Sequence, residues 1–181
     1  MTINLKPLEA ADRESFIADL QEAFEHFVGD ARASFIDTSL PKDGTANPAA
    51  PPILPREDIE ESLSRSEVQA LRIIEDGTAV GGVILTVKGD RGEIEILAIN
   101  ASTHGRGIGA RAWTAIEEAY PDVREWELVT PYFEVRNIHF YVNKCGFHIV
   151  EFFNEHHPAP SAPGMDKDLS FRFVKYVGLP E

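Results

Sequence analysis

The sequence holds one cysteine, Cys145, so no disulfide can form within the chain. A disulfide-stapled secreted scaffold is excluded, and a reducing compartment, the cytoplasm, is the expected location. No apolar run approaches the ~20 residues that span a bilayer, so no membrane association is expected. The opening stretch MTINLKPLEAADRE lacks a basic region followed by an apolar one, and no signal peptide is expected. Positive charge is scarce: 17 Lys and Arg stand against 30 Asp and Glu, a net charge of −13. General nucleic-acid binding needs a basic footprint and is excluded. A cationic partner is favoured, because a negative surface concentrates positive ligands, although acidity equally serves solubility.

What is present is ordinary for a globular protein: 181 residues, 43% hydrophobic and 26% charged, with no internal repeat. One domain over residues 1–181 is expected. Residues 2–8 read as a strand. Asp12 opens a helix to about Val28, with Phe16, Ile17, Leu20, Ala23, Phe24 and Phe27 at helical spacing. Residues 37–55 hold five prolines and no periodicity, and read as a loop within the domain. Residues 56–66 form a short acidic helix. Residues 68–87 are two strands around Asp76-Gly77, a strong hairpin signal, and 91–99 are a third. A helix follows to about Tyr120, then a strand over 125–130. Another helix runs from about Glu134 to Lys144, stopped by Gly146. Strands over 147–153 and 169–177 flank a Pro-rich loop at 156–164. An antiparallel meander feeding two crossovers implies a mixed sheet with helices on its faces.

One stretch asks for a chemical explanation. STHGRGIGARAW places Gly105, Gly107 and Gly109 at the mouth of a helix, where each costs about 0.5–1 kcal/mol relative to alanine. The first N–H groups of a helix have no internal partner, and the helix dipole adds about half a positive charge there. Glycines let a phosphate approach those groups, with Arg106 as a charged donor and Arg111 as a second. The Lys-Ser/Thr ending of a P-loop is absent. The glycine spacing is wrong for a dinucleotide fingerprint, and a meander precedes it.

The stretch LAINASTHGRGIGARAW resembles the coenzyme A motif of the GNAT superfamily of N-acetyltransferases, Gln/Arg-x-x-Gly-x-Gly/Ala after a strand. His104, Gly107 and Gly109 occupy its marked positions. NIHFYVNKCGF is similar to the family's helix ending in Tyr-x-x-x-Gly-Phe, and the element order matches from residue 2 to 177. Two positions depart. His104 replaces Gln or Arg and donates to phosphate in a pH-dependent way. Glu134 stands where the family often has Asn, seven residues before the tyrosine. Asn137 shares a helix face with Tyr141 and is assigned the contact to the cofactor arm.

The resemblance implies an α/β (α+β) fold: a mixed, mostly antiparallel sheet of about seven strands with about four helices. It implies acetyl-CoA as cosubstrate, no metal, and transfer of acetyl to a primary amine of a small molecule or peptide. By the same resemblance, the backbone of Leu97, Ala98 and Ile99 pairs with the pantetheine arm, and an N–H near Leu97 or Ala98 faces the oxyanion. The amides of Gly105, Arg106, Gly107, Ile108, Gly109 and Ala110 hold the phosphates. Tyr141 is the general acid. An alkylammonium with a pKa near ~10 must lose a proton before attack. Glu93 and Glu95, which alternate with Leu97 and Ile99, are candidates for the base, acting directly or through water, and Glu127 is a third.

Other residues are assigned bland roles. His156-His157 lacks spaced partners and reads as a loop pair. Cys145, Trp113 and Phe140 read as core, and His139 and His148 as surface. Tyr132-Phe133 fits either the acceptor pocket or the core. A coenzyme-A-binding interaction module with little catalysis, and a transferase using another acyl-CoA, stay open as alternatives, as does a homodimer.

Overall fold

The computed structural model describes residues 2–35, 54–103, 107–132, 134–159 and 169–178. Most of the Pro-rich segment at 37–55, the glycine-turn residues His104, Gly105 and Arg106, Phe133 and the end of the 156–164 loop lie outside the described residues.

Seven strands form one sheet: β1 (Ile3–Pro7), β2 (Val68–Glu75), β3 (Thr78–Lys88), β4 (Arg91–Ile99), β5 (Glu125–Pro131), β6 (His148–Phe153) and β7 (Ser170–Tyr176). Their order is β1-β2-β3-β4-β5-β7-β6, antiparallel throughout except for the parallel β4–β5 pair. Four α-helices accompany the sheet among the described residues: α1 (Arg13–Phe35), α2 (Arg56–Ser64), α3 (Ile108–Ala119) and α4 (Val135–Asn143). No helix among them is long and apolar enough to cross a membrane. The hairpin at Asp76-Gly77 forms as expected, with positive φ at both residues, 48° and 89°, as a two-residue type I′ turn requires. Helix α1 runs to Phe35, past the expected end near Val28.

The helices divide between the two faces. On one face, Phe16, Ile17, Leu20 and Ala23 of α1 pack with Ile59 of α2 against Ile84, Ile96 and Ala98. Arg72 of β2 fastens α1 from below: it is ion-paired with Asp19, donates to Ser15 Oγ at 2.5 Å, and lies 5.2 Å from the Phe16 ring centre. On the other face, Trp113 and Ile116 of α3 and Tyr141 of α4 meet Val83, Leu85, Ile94, Leu128 and Phe173. Trp113 packs edge-on to Trp126 at 5.5 Å and against Phe147 at 4.9 Å.

Two irregularities shape the middle of the sheet. The β4–β5 ladder pairs only Arg91↔Glu125 through Ile94↔Leu128. Beyond that, β5 stays with β7 up to Pro131 and β4 stays with β3 up to Ile99, so the facing edges separate. At the same point Leu85 pairs with Ile94 and Ile84 with Ile96, leaving Glu95 as the extra residue of a β-bulge. The bulge breaks the alternation. Ile94 joins the α3/α4 core and Ile96 and Ala98 join the α1/α2 core, while Leu97 and Ile99 pack on the α3 side. Leu97 and Ile99 therefore do not share a face with the carboxylates before the bulge, as simple alternation had suggested.

Below the split, the ring of Trp126 lies where a side chain at Gly92 would be, and Trp126 is fully buried. Glycine at 92 thus lets β4 and β5 close. Gly92→Ala is expected to cost about 1–3 kcal/mol through overpacking and to lower Tm by several degrees in calorimetry. An unchanged Tm would mean that Trp126 does not clamp the two strands.

Candidate active site

The end of β4, beyond its last pair with β5, borders a cavity of about 440 Å³. Leu97, Ala98 and Ile99 line it from β4, and Gly107, Ile108, Gly109 and Ala110 from the start of α3. Asn137 and Tyr141 line it from α4. The described residues assigned to the cofactor from the sequence, Arg111 excepted, therefore border one cavity. Gly107 sits at φ +69°, a conformation that favours glycine, and turns the chain into α3. A side chain at Gly109 would press on the Phe140 ring, 3.0 Å from an ideal Cβ, so glycine brings α3 and α4 together there.

Sequence reasoning missed part of the wall. Phe140, expected in the core, is half-buried and lines the cavity, as do Arg136 and Lys144. The signal was available: positions 136, 140 and 144 are four apart on one helix face. Ala23 and Phe24 of α1 close the cavity from the other side. Arg111, expected as a phosphate donor, instead donates to the buried Glu75 carboxylate at 2.5 Å. That pair ties α3 to β2, and a contact 36 residues apart leaves no local sequence trace.

Tyr141 is buried among Phe140, Phe147 and Phe173, with ring centres 5.1–5.9 Å away. Burial, then the nearby Glu134 and Cys145, pushes its hydroxyl well above the ordinary tyrosine range, so it keeps its proton at neutral pH. Gly146, at φ +78°, turns the chain so that Phe147 N–H donates to Tyr141 O at 3.0 Å and closes the end of α4. Cys145 is buried with its thiol pushed up to about 12, so it is no thiolate near neutrality. Trp113 lies in the core, and His139 and His148 are exposed, as expected. His157 Nε2 contacts Glu151 Oε1 at 2.7 Å and its ring stacks on Phe153.

The carboxylates stand apart from this cavity. Glu93 and Glu127 are register partners across β4 and β5, flanked in sequence by residues of the α3/α4 core, and so project to the opposite face. Glu95 is ion-paired with Arg65, its side chain almost fully buried. Arg172 lies 3.6 Å from Glu127 and 3.0 Å from Glu151. Among the described residues, Glu93 makes no ion pair, although Arg65 and Lys88 act on it from farther off. Its carboxyl sits in a crowded spot on an otherwise exposed residue, and its pKa is raised first by burial, then by Glu95 and Glu127.

A profile of the acetyltransferase (GNAT) family matches residues 13–147. The chain belongs to the GNAT acetyltransferase family. It is 38% identical to the uncharacterized protein YrkN of Bacillus subtilis (strain 168), over 96% of this chain and 92% of that one. Its fold is similar to that of the ribosomal-protein-S18-alanine N-acetyltransferase of Escherichia coli, with a TM-score of 0.64 and 13% identity over 99% and 97% of the two chains. It is also similar to the PaiA N-acetyltransferase of Thermoplasma acidophilum in complex with coenzyme A, with a TM-score of 0.61 and 16% identity over 97% and 99%. The family match ends at Phe147, so β6 and β7 lie beyond it.

Within this GNAT chain, Glu134 is buried immediately before α4 and accepts a hydrogen bond from Asn137 Nδ2. Burial pushes its carboxyl up to about 7, against the pull of Asn137. A carboxyl whose folded pKa lies above its unfolded value contributes stability that is full below the unfolded value and is lost as pH rises through the folded one. Glu134→Gln, which does not titrate, is therefore expected to gain on the wild type as pH rises from 5 to 8. The change in ΔΔG should approach ~3 kcal/mol in denaturant melts. A gap that is flat with pH would place the Glu134 pKa near its ordinary value.

Proposed function

We propose that this chain transfers an acetyl group from acetyl-CoA to a primary amine, with Glu93 as general base and Tyr141 as general acid. The observation that carries this reading is the split between β4 and β5, which opens a cavity ending at the glycine-bearing start of α3. The residues fit such a ligand. Two glycines leave the helix amides open to a phosphate. Arg136 and Lys144 add positive charge to the cavity wall of an acidic chain. Among the described residues, the edge of β4 that faces β5 has no ladder partner over residues 95–98, so amides there can pair with an extended arm. The PaiA protein, of the same fold, was crystallised with coenzyme A.

Acetyl-CoA would supply a thioester-activated acetyl group. The backbone of Leu97, Ala98 and Ile99 would pair with its arm, and an N–H near Leu97 or Ala98 would donate to the carbonyl oxygen as negative charge develops. Residues 104–110 would hold the phosphates. Tyr141, protonated and bordering the cavity, would give its proton to the departing sulfur. Glu93 would take the proton from the ammonium, directly or through a water. Glu95 and Glu127 are each engaged by an arginine, whereas burial and the neighbouring carboxylates raise the proton affinity of Glu93, with Arg65 and Lys88 pulling the other way. The acceptor is an amine on a small molecule or a peptide.

The test has two steps. Acetyl-CoA at 100 times its dissociation constant should stabilise the protein by about 2.7 kcal/mol, seen as a rise in Tm, with ATP and NAD giving none. Tyr141→Phe and Glu93→Gln should then each lower kcat by ~10²-fold or more in an amine panel scored by thiol release, while keeping the acetyl-CoA shift. No shift with acetyl-CoA would sink the reading. A Tyr141→Phe enzyme as fast as wild type would remove the acid assignment.

A further inference from the structure

Asn137 borders the cavity, whereas Glu134, three residues earlier on the same helix side, is buried outside its lining. The two are joined by the hydrogen bond from Asn137 Nδ2 to Glu134 Oε2. A carboxamide has one donating end and one accepting end, and an ionised carboxylate only accepts. When ionised, Glu134 accepts from Asn137 and so turns the carboxamide nitrogen to the carboxylate. Oδ1 is then the accepting atom that Asn137 has left for a ligand, beside the second N–H of Nδ2. A buried carboxylate with a single recorded side-chain donor is a costly way to fix one amide, and an uncharged residue would fill that place at less cost.

We propose that Glu134 is a positioning residue: by engaging Asn137 Nδ2, it presents Asn137 Oδ1 as an acceptor for an amide N–H of the coenzyme arm. The inference rests on the reading that the cavity holds acetyl-CoA. The ligand chemistry follows from the polarity. An amide N–H matches Oδ1, whereas a phosphate or carbonyl oxygen would meet it acceptor to acceptor.

The test is a double-mutant cycle on acetyl-CoA binding, by calorimetry and by KM. Glu134→Leu and Asn137→Ala should each weaken binding about tenfold, and the double variant should be no weaker than Asn137→Ala alone. Glu134→Gln should bind within about threefold of wild type, because its amide oxygen can still accept from Nδ2. Additive losses, or Glu134→Gln as weak as Glu134→Leu, would overturn the proposal. The wild-type protein answers the same question should Glu134→Leu not fold. Coenzyme analogues with each pantetheine amide N–H replaced in turn by an ester oxygen should show one position that loses about tenfold in wild type and nothing further in Asn137→Ala. Equal binding of both analogues and the parent would overturn it. Absence of acetyl-CoA binding by the wild type would instead sink the reading of the cavity.

Discussion

The structure depends on where β4 and β5 stop pairing. Four register pairs hold them, and Trp126, seated where Gly92 has no side chain, closes the joint beneath. Above Ile94 the bulge at Glu95 redirects β4, while β5 is kept straight by its seven pairs with β7. Parallel strands that part in this way leave backbone groups without ladder partners, which a sheet interior does not tolerate unless something else supplies them. Here the opening is walled by α3, α4 and the middle of α1, and becomes a cavity instead of a packing fault.

The bulge does a second thing. A one-residue offset moves every later side chain to the other face of the sheet. Leu97 and Ile99 turn toward the α3 side, while Glu93 and Glu127 stay on the side of α1 and α2. The proposed acid and base therefore approach the split from different faces, Tyr141 from α4 and Glu93 from the outer sheet surface. In the proposed reaction the acyl donor and the amine would approach from different sides, as direct transfer requires.

Much of this was legible in the sequence. Helical spacing in α1, the Asp-Gly hairpin and the alternating strands give the order of elements because each is a local signal. The glycines of the α3 turn and the helix ending from Tyr141 to Gly146-Phe147 point to residues that border one cavity, because they mark backbone approach and helix closure. The bulge was not legible. Apolar residues occupy both faces of β4 after Ile94, so Glu93, Glu95, Leu97 and Ile99 read as one smooth alternation. Long-range pairing was invisible for the same reason: nothing near Arg111 announces Glu75, and nothing near Glu95 announces Arg65.

The outer face shows how an acidic protein can keep one carboxylate reactive. Four carboxylates, Glu93, Glu95, Glu127 and Glu151, stand near two guanidinium groups, Arg65 and Arg172. Arg172 is shared between Glu127 and Glu151, and Arg65 is taken by Glu95. The two guanidinium groups thus pair with the other three carboxylates, and Glu93 feels Arg65 and Lys88 only from beyond pairing distance. Burial first, then the neighbouring carboxylates, raises the affinity of Glu93 for a proton, with Arg65 and Lys88 pulling the other way, and in the proposed reaction the negative charge of this face would draw an ammonium to the same place. Adding a further arginine beside Glu93 would remove both at once.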